Sequence, residues 1–142
     1  MSADGFYAGS DVEIVTAVLG ALRSDADVKE LLGDPARIYD DETRNAVFPY
    51  AVLERHERLR ADVSEVCGAE HRLTLATYSR LGGRIQAKAI LGALRAAVDR
   101  LEVTLGQQRI VLAYVTYSDA LRARDQISFR GIIRIKIITE EV

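Results

Sequence analysis

The stretch Glu70-His71-Arg72-Leu73-Thr74-Leu75-Ala76-Thr77-Tyr78-Ser79, with the break Leu81-Gly82-Gly83 and residues 84–101 behind it, decides the fold. Leu73, Leu75 and Thr77 alternate with Arg72, Thr74 and Ala76, which is the period of two of a strand with one buried face. The glycines interrupt that pattern. Beyond them the period lengthens. Ile90, Leu91, Leu94, Ala97, Val98 and Leu101 fall on one helical stripe, while Arg84, Lys88, Arg95 and Asp99 mark the wet side. Strand and helix therefore lie side by side in one segment.

Toward the C-terminus the spacing predicts strands over 109–118 and 127–139. In the second, Phe129, Ile133, Ile135 and Ile137 alternate with Arg130, Arg134 and Lys136. Residues 119–125 join the two as the polar connection of an antiparallel hairpin. Toward the N-terminus, Pro49 opens a strand over 50–60. Its expected faces are Tyr50, Val52, Glu54 and His56 against Ala51, Leu53, Arg55 and Glu57. Its outer half is so polar that it is expected to extend beyond the core. Residues 62–69 read as a loop.

Ser10-Asp11-Val12-Glu13 matches a capping box, so a helix is expected from Ser10 to about Arg23, with Val12, Val15, Val18, Leu19 and Leu22 on its apolar face. Asp25 or Asp27 caps a second, short helix that Gly33 ends. Asp34-Pro35 makes a turn, Arg37-Ile38-Tyr39 a short strand, and Asp40-Asp41-Glu42 a solvated loop. The element order is α, α, β, β, β, α, β, β. It predicts an α+β fold, a mostly antiparallel four- to five-stranded sheet with two or three helices packed on one face. Residues 1–9 are expected as a flexible N-terminal arm and residues 10–142 as a single domain.

Composition bounds the function. The 142 residues are 49% hydrophobic and 28% charged, values of an ordinary globular domain. No run approaches the roughly 18 apolar residues of a membrane span, and no secretory signal is visible at the start. Cys67 is alone, so no intrachain disulfide forms; a reducing cytoplasm, or a particle assembled there, is the expected setting. Net charge is −2, but it is unevenly spread. Residues 1–68 carry 7 basic and 14 acidic side chains, a balance of −7, whereas residues 69–142 carry 12 and 7, a balance of +5. Such a split either averages out in the folded domain or supplies complementary patches between subunits.

Catalytic patterns are lacking. No phosphate-binding or dinucleotide-binding glycine motif occurs, and Gly82-Gly83 beside Arg84 reads as a plain strand-to-helix turn. A metal would need His56, Cys67 and His71, with Glu54 or Glu70, at spacings that match no zinc pattern. Cys67 and His71, four residues apart, have no oxyanion-hole signature beside them. No carboxylate pair has a recognisable acid/base setting. Neither a cofactor nor a metal is expected. The best nucleic-acid surface would be Arg130, Arg134 and Lys136 with Arg122 and Arg124, but only Tyr114, Tyr117 and Phe129 offer aromatic company.

The opening helix, Phe48-Pro49-Tyr50-Ala51-Val52-Leu53, the strand ending Tyr78-Ser79, the helix with Ala87-Lys88-Ala89-Ile90, and Asp125-Gln126-Ile127-Ser128-Phe129-Arg130-Gly131 together resemble a family. It is the tail-completion, or tail terminator, family of long-tailed bacteriophages and gene transfer agents, and the resemblance spans roughly residues 11–138. Tyr78 stands where members often carry Trp. The resemblance implies a virion structural protein without catalysis. It implies a homohexameric ring that caps the tail tube and meets the head connector, with DNA passing through its lumen without sequence-specific binding. No membrane is involved; the setting is the head–tail junction of a phage-like particle assembled in the bacterial cytoplasm. A head-to-tail ring needs two unlike complementary faces on each subunit, which the charge split can supply. The candidate contact residues, chosen from exposure and charge, are Glu54, Arg55, Glu57, Arg58, Arg122, Arg124, Arg130 and Arg134. The alternatives are a tail-tube or head-completion subunit of similar fold, a small cytoplasmic enzyme using the His56–Cys67–His71 region, and a basic nucleic-acid module.

Overall fold

The structure is a computed structural model. It describes residues 3–142, with side chains in the first helix from Gly9 onward. Helices α1 (Ala3–Ser24), α2 (Ala26–Leu32) and α3 (Gly83–Asp99) accompany strands β1 (Ile38–Tyr39), β2 (Tyr50–Arg60), β3 (Gly68–Ser79), β4 (Gln108–Arg122) and β5 (Phe129–Glu141). The strands form one sheet in the order β1-β2-β3-β5-β4. Only β1, which pairs with β2, is parallel to its neighbour. The fold is α+β, as the element order predicts.

Period-two alternation sorts the two central strands. Leu73 pairs with Ile135 and Leu75 with Ile133, and all four are buried toward the helices. Ile14, Val18 and Leu22 of α1, Val28 and Leu32 of α2, and Ile90, Leu94 and Val98 of α3 complete that core. Asp25 caps α2 as expected, its carboxylate accepting from the backbone N–H groups of Asp27 and Val28. Gly131 faces Thr77 across the β3–β5 pair, and a Cβ there would collide with the Thr77 hydroxyl and approach Leu91 Cδ2 at 3.1 Å. The helix layer lies too close to the sheet at that point for any side chain.

Three expectations change. The first helix does not begin at Ser10. It runs from Ala3, so the span 1–9 expected as an arm is helical from Ala3 on, and Met1 and Ser2 lie outside the described residues. Ser10, Ile14, Val18 and Leu22 form a buried row at four-residue spacing, while Val12 is 73% exposed. Ser10 is thus a packed position and not a cap.

In β2 the alternation breaks at a bulge between Leu53 and Arg55. Glu54 is the extra residue, and it shifts the parity of everything after it. His56 therefore shares the helix side with Ala51 and Leu53, and Arg55 and Glu57 join Tyr50 and Val52 on the other side. The polar outer half of β2 pairs with β3 as far as Arg60 opposite Ala69, and none of residues 54–60 belongs to the hydrophobic core, as expected. Lastly, β4 continues through residues 119–122, and the hairpin turn is 123–128. There Asp125 accepts from the N–H groups of Ile127 and Ser128 and from the Ser128 hydroxyl.

Candidate interaction surface

All three helices cover one face of the sheet. The opposite face carries the residues alternate to the core: Arg55 and Glu57 from β2, Glu70 and Arg72 from β3, Arg130, Arg134 and Lys136 from β5, and Tyr114 and Tyr117 from β4. All of these except Tyr117 line a shallow depression of about 860 Å³. Among the described residues no helix or loop fills it.

The charges on this face are laced together. Arg130 Nη2 lies 2.5 Å from Glu54 Oε1, with the Tyr78 hydroxyl accepting from Arg130 Nε at 3.4 Å. Burial works against the Arg130 charge, but the bonds to Glu54 and Tyr78 outweigh it and raise its pKa. Arg72 Nε donates to Glu70 Oε2 at 2.7 Å, and Lys136 Nζ stands 3.4 Å from Glu70 Oε1. The Arg72 bond, followed by Lys136, holds the Glu70 carboxyl below its usual range despite partial desolvation. Arg55 pairs with Glu57 at 3.3 Å. Arg134 has no carboxylate partner among the described residues; its guanidinium lies over the Tyr117 ring, 4.8 Å from the centroid.

Of the eight candidate contact residues, Glu54, Arg55, Glu57, Arg130 and Arg134 meet on this face. The other three do not. Arg58 turns to the helix side, where it donates to Asp11 Oδ1 at 2.5 Å and to the Ser10 hydroxyl. Arg122 closes β4 with its guanidinium 4.9 Å from the Phe129 ring centroid, and Arg124 lies in the hairpin turn. The bulge explains Arg58, because without the extra residue its parity would place it on the open side. The candidate contact residues left out Glu70, Arg72 and Lys136, although Lys136 was grouped with Arg130 and Arg134 as a basic surface. Their alternation with Leu73, Leu75, Ile135 and Ile137 was the available signal.

A second cluster lies beneath α1. His56 Nε2 and His71 Nδ1 are 2.8 Å apart with stacked rings, and Asp11 Oδ1 is 3.9 Å from His71 Nδ1. His71 is fully buried, and burial, followed by the neighbouring His56, pushes its pKa down to about 4 against the pull of Asp11. Burial also lowers His56. Both rings are therefore neutral at pH 7 and share one N–H···N hydrogen bond. These three residues are the one metal-type grouping among the described residues, and Cys67, Glu54 and Glu70 are not part of it. Arg58 already occupies the carboxylate, and the ring–ring bond uses the facing nitrogens. The grouping acts as a polar clamp from α1 to β2 and β3.

A family model described as tail completion protein gp17 matches residues 16–140. The chain belongs to this family. The tail completion family is one of phage tail structural proteins. The fold is similar to that of a chain in the virion of a native gene transfer agent particle, with a TM-score of 0.80 and 22% identity over 92% of this chain and 96% of that one. It is also similar to the gp17 protein of bacteriophage SPP1, with a TM-score of 0.61 and 12% identity over 90% and 89% of the two chains. No curated protein matches the chain.

Proposed function

We propose that this tail completion protein is a tail terminator: a ring, six copies by the family resemblance, that caps the finished tail tube and presents a surface to the head connector. Membership of the tail completion family over residues 16–140 carries the reading. DNA passes through the lumen held by no base-specific contact, and the protein works in a phage-like particle with no catalytic step. Residues 10–142 act as one unit. The open sheet face, with Glu54, Arg55, Glu57, Arg130 and Arg134, supports a role in contact because it is charged, patterned and uncovered among the described residues. Arg58, Arg122 and Arg124 contribute through the shape of the subunit.

Imaging particles from cells that lack the protein tests the reading. Tails of uncontrolled length, or heads unattached to tails, are expected; normal heads joined to normal tails would overturn it. A tail-tube or head-completion subunit is the alternative, because a virion holds several kinds of component. A tube protein polymerises alone, whereas a terminator stops at one ring.

A further inference from the structure

We infer that one copy of this chain docks on the next by inserting its acidic β1–β2 loop, Asp40-Asp41-Glu42, against the Arg134–Lys136–Tyr114–Tyr117 patch on β5 and β4. The inference rests on the ring reading above and assigns the two faces that such a ring requires.

The two surfaces are complementary in charge. Asp40, Asp41 and Glu42 are exposed, and none has a cationic partner within 4.0 Å. Arg134 likewise lacks a carboxylate partner among the described residues, while Lys136 beside it is shared with Glu70 at 3.4 Å. An unpaired acidic run and an unpaired guanidinium on one chain invite pairing between chains. The basic patch also has the composition of an interface core. Tyr114 and Tyr117 are 37% and 42% exposed, with Leu112 at 47% beside them. On the acidic side, Val47 is 63% exposed in the same loop. The loop is held in shape at its base by Arg37, whose Nε donates to the carbonyls of Val47 and Pro49.

Topology keeps the two surfaces apart within one subunit. Strand order β1-β2-β3-β5-β4 puts the loop at one edge of the sheet and the patch at the other. Two to three strand spacings of about 4.8 Å, roughly 10–14 Å, separate the loop's flanking strands from β5, which carries Arg134 and Lys136. No ion pair joins the two surfaces among the described residues. That is the arrangement of a heterologous, head-to-tail contact, which closes into a ring when the rotation per subunit permits.

The experiment uses cells that make the particle. One strain carries Asp40→Lys, Asp41→Lys and Glu42→Lys; a second carries Arg134→Glu and Lys136→Glu; a third carries all five. Joined head–tail particles are counted by electron microscopy, and the purified chains are melted to confirm folding. Each reversal alone is expected to lower joined particles by ~10-fold or more, as a loss near 1.4 kcal/mol per contact would. The combined swap is expected to restore most of them. Either single reversal leaving particles at the normal count, or a folded five-residue variant that stays as defective as its parents, overturns the docking assignment. The deletion strain separates the two levels: normal particles there overturn the ring reading itself, whereas a deletion defect without charge-swap rescue overturns only the docking.

Discussion

Glu54 of β2 and Arg130 of β5 form an ion pair that spans the intervening strand β3, passing beside the Tyr78 hydroxyl. Glu54 reaches so far because it is the bulge residue, released from the regular ladder. Both side chains keep about a third of their surface in water, with relative exposures of 31% and 27%. The coupling measured by a double-mutant cycle of Glu54→Ala and Arg130→Ala in urea is therefore expected at about 0.5–1 kcal/mol. A coupling near zero would mean that solvent screens the pair fully, and that it does not organise the open face.

The histidine clamp predicts a pH dependence. His71 has a folded pKa near 4, below the usual value of 6.5. The unfolded chain then binds more protons, so this contribution is fully present above about pH 6.5 and is lost as pH falls toward 4. The loss is of order 2–3 kcal/mol. Urea midpoints measured across that window should fall steeply for the wild type and more gently for His71→Leu. Parallel slopes would contradict a neutral, buried ring.

Arg58 and Arg134 predict opposite phenotypes. Arg58 ties β2 to Ser10 and Asp11 of α1, so Arg58→Ala is expected to cost about 1–3 kcal/mol of stability through lost charge-assisted bonds. Among the described residues the Arg134 side chain makes only a ring contact, with Tyr117, so Arg134→Ala is expected to cost under about 1 kcal/mol and to act on assembly. Thermal melts beside particle counts for the two variants check the contrast. A reversed order would mean that the assignment of sheet faces is wrong.

Gly131→Ala is expected to destabilise the chain by about 1–3 kcal/mol, because the added methyl meets the Thr77 hydroxyl and Leu91 where sheet and α3 touch. A wild-type denaturation midpoint for that variant would show that α3 can move away at no cost.

Regular elements were legible in the sequence because their signals are local. Most of the α3 stripe and the alternation of Leu73 and Leu75 with Ile133, Ile135 and Ile137 match the buried sets, while Leu101 falls beyond α3 and Ala76, expected on the polar face, is buried. What escaped was parity. A single inserted residue at Glu54 reverses the faces of the rest of β2, and no composition signal distinguishes Glu54 from its polar neighbours. Hence the faces expected for His56, Arg55 and Glu57 are exchanged, and Arg58 turns to the helix side, away from the other candidate contact residues of β2. Ser10-Asp11-Val12-Glu13 misled for a similar reason. Its capping pattern is real, but the apolar row Ile14, Val18, Leu22 continues back through a serine, which carries no hydrophobic signal. The His56–His71 contact depends on the same bulge, so the sequence could place the two on adjacent strands but not on the same face.

The most direct test is a cryo-electron microscopy reconstruction of the intact particle that produces this protein. The account predicts this fold in a single closed ring at the end of the tail tube where the head attaches, with copies in head-to-tail contact. The same fold repeated along the tube, or no copy at the junction, would contradict it.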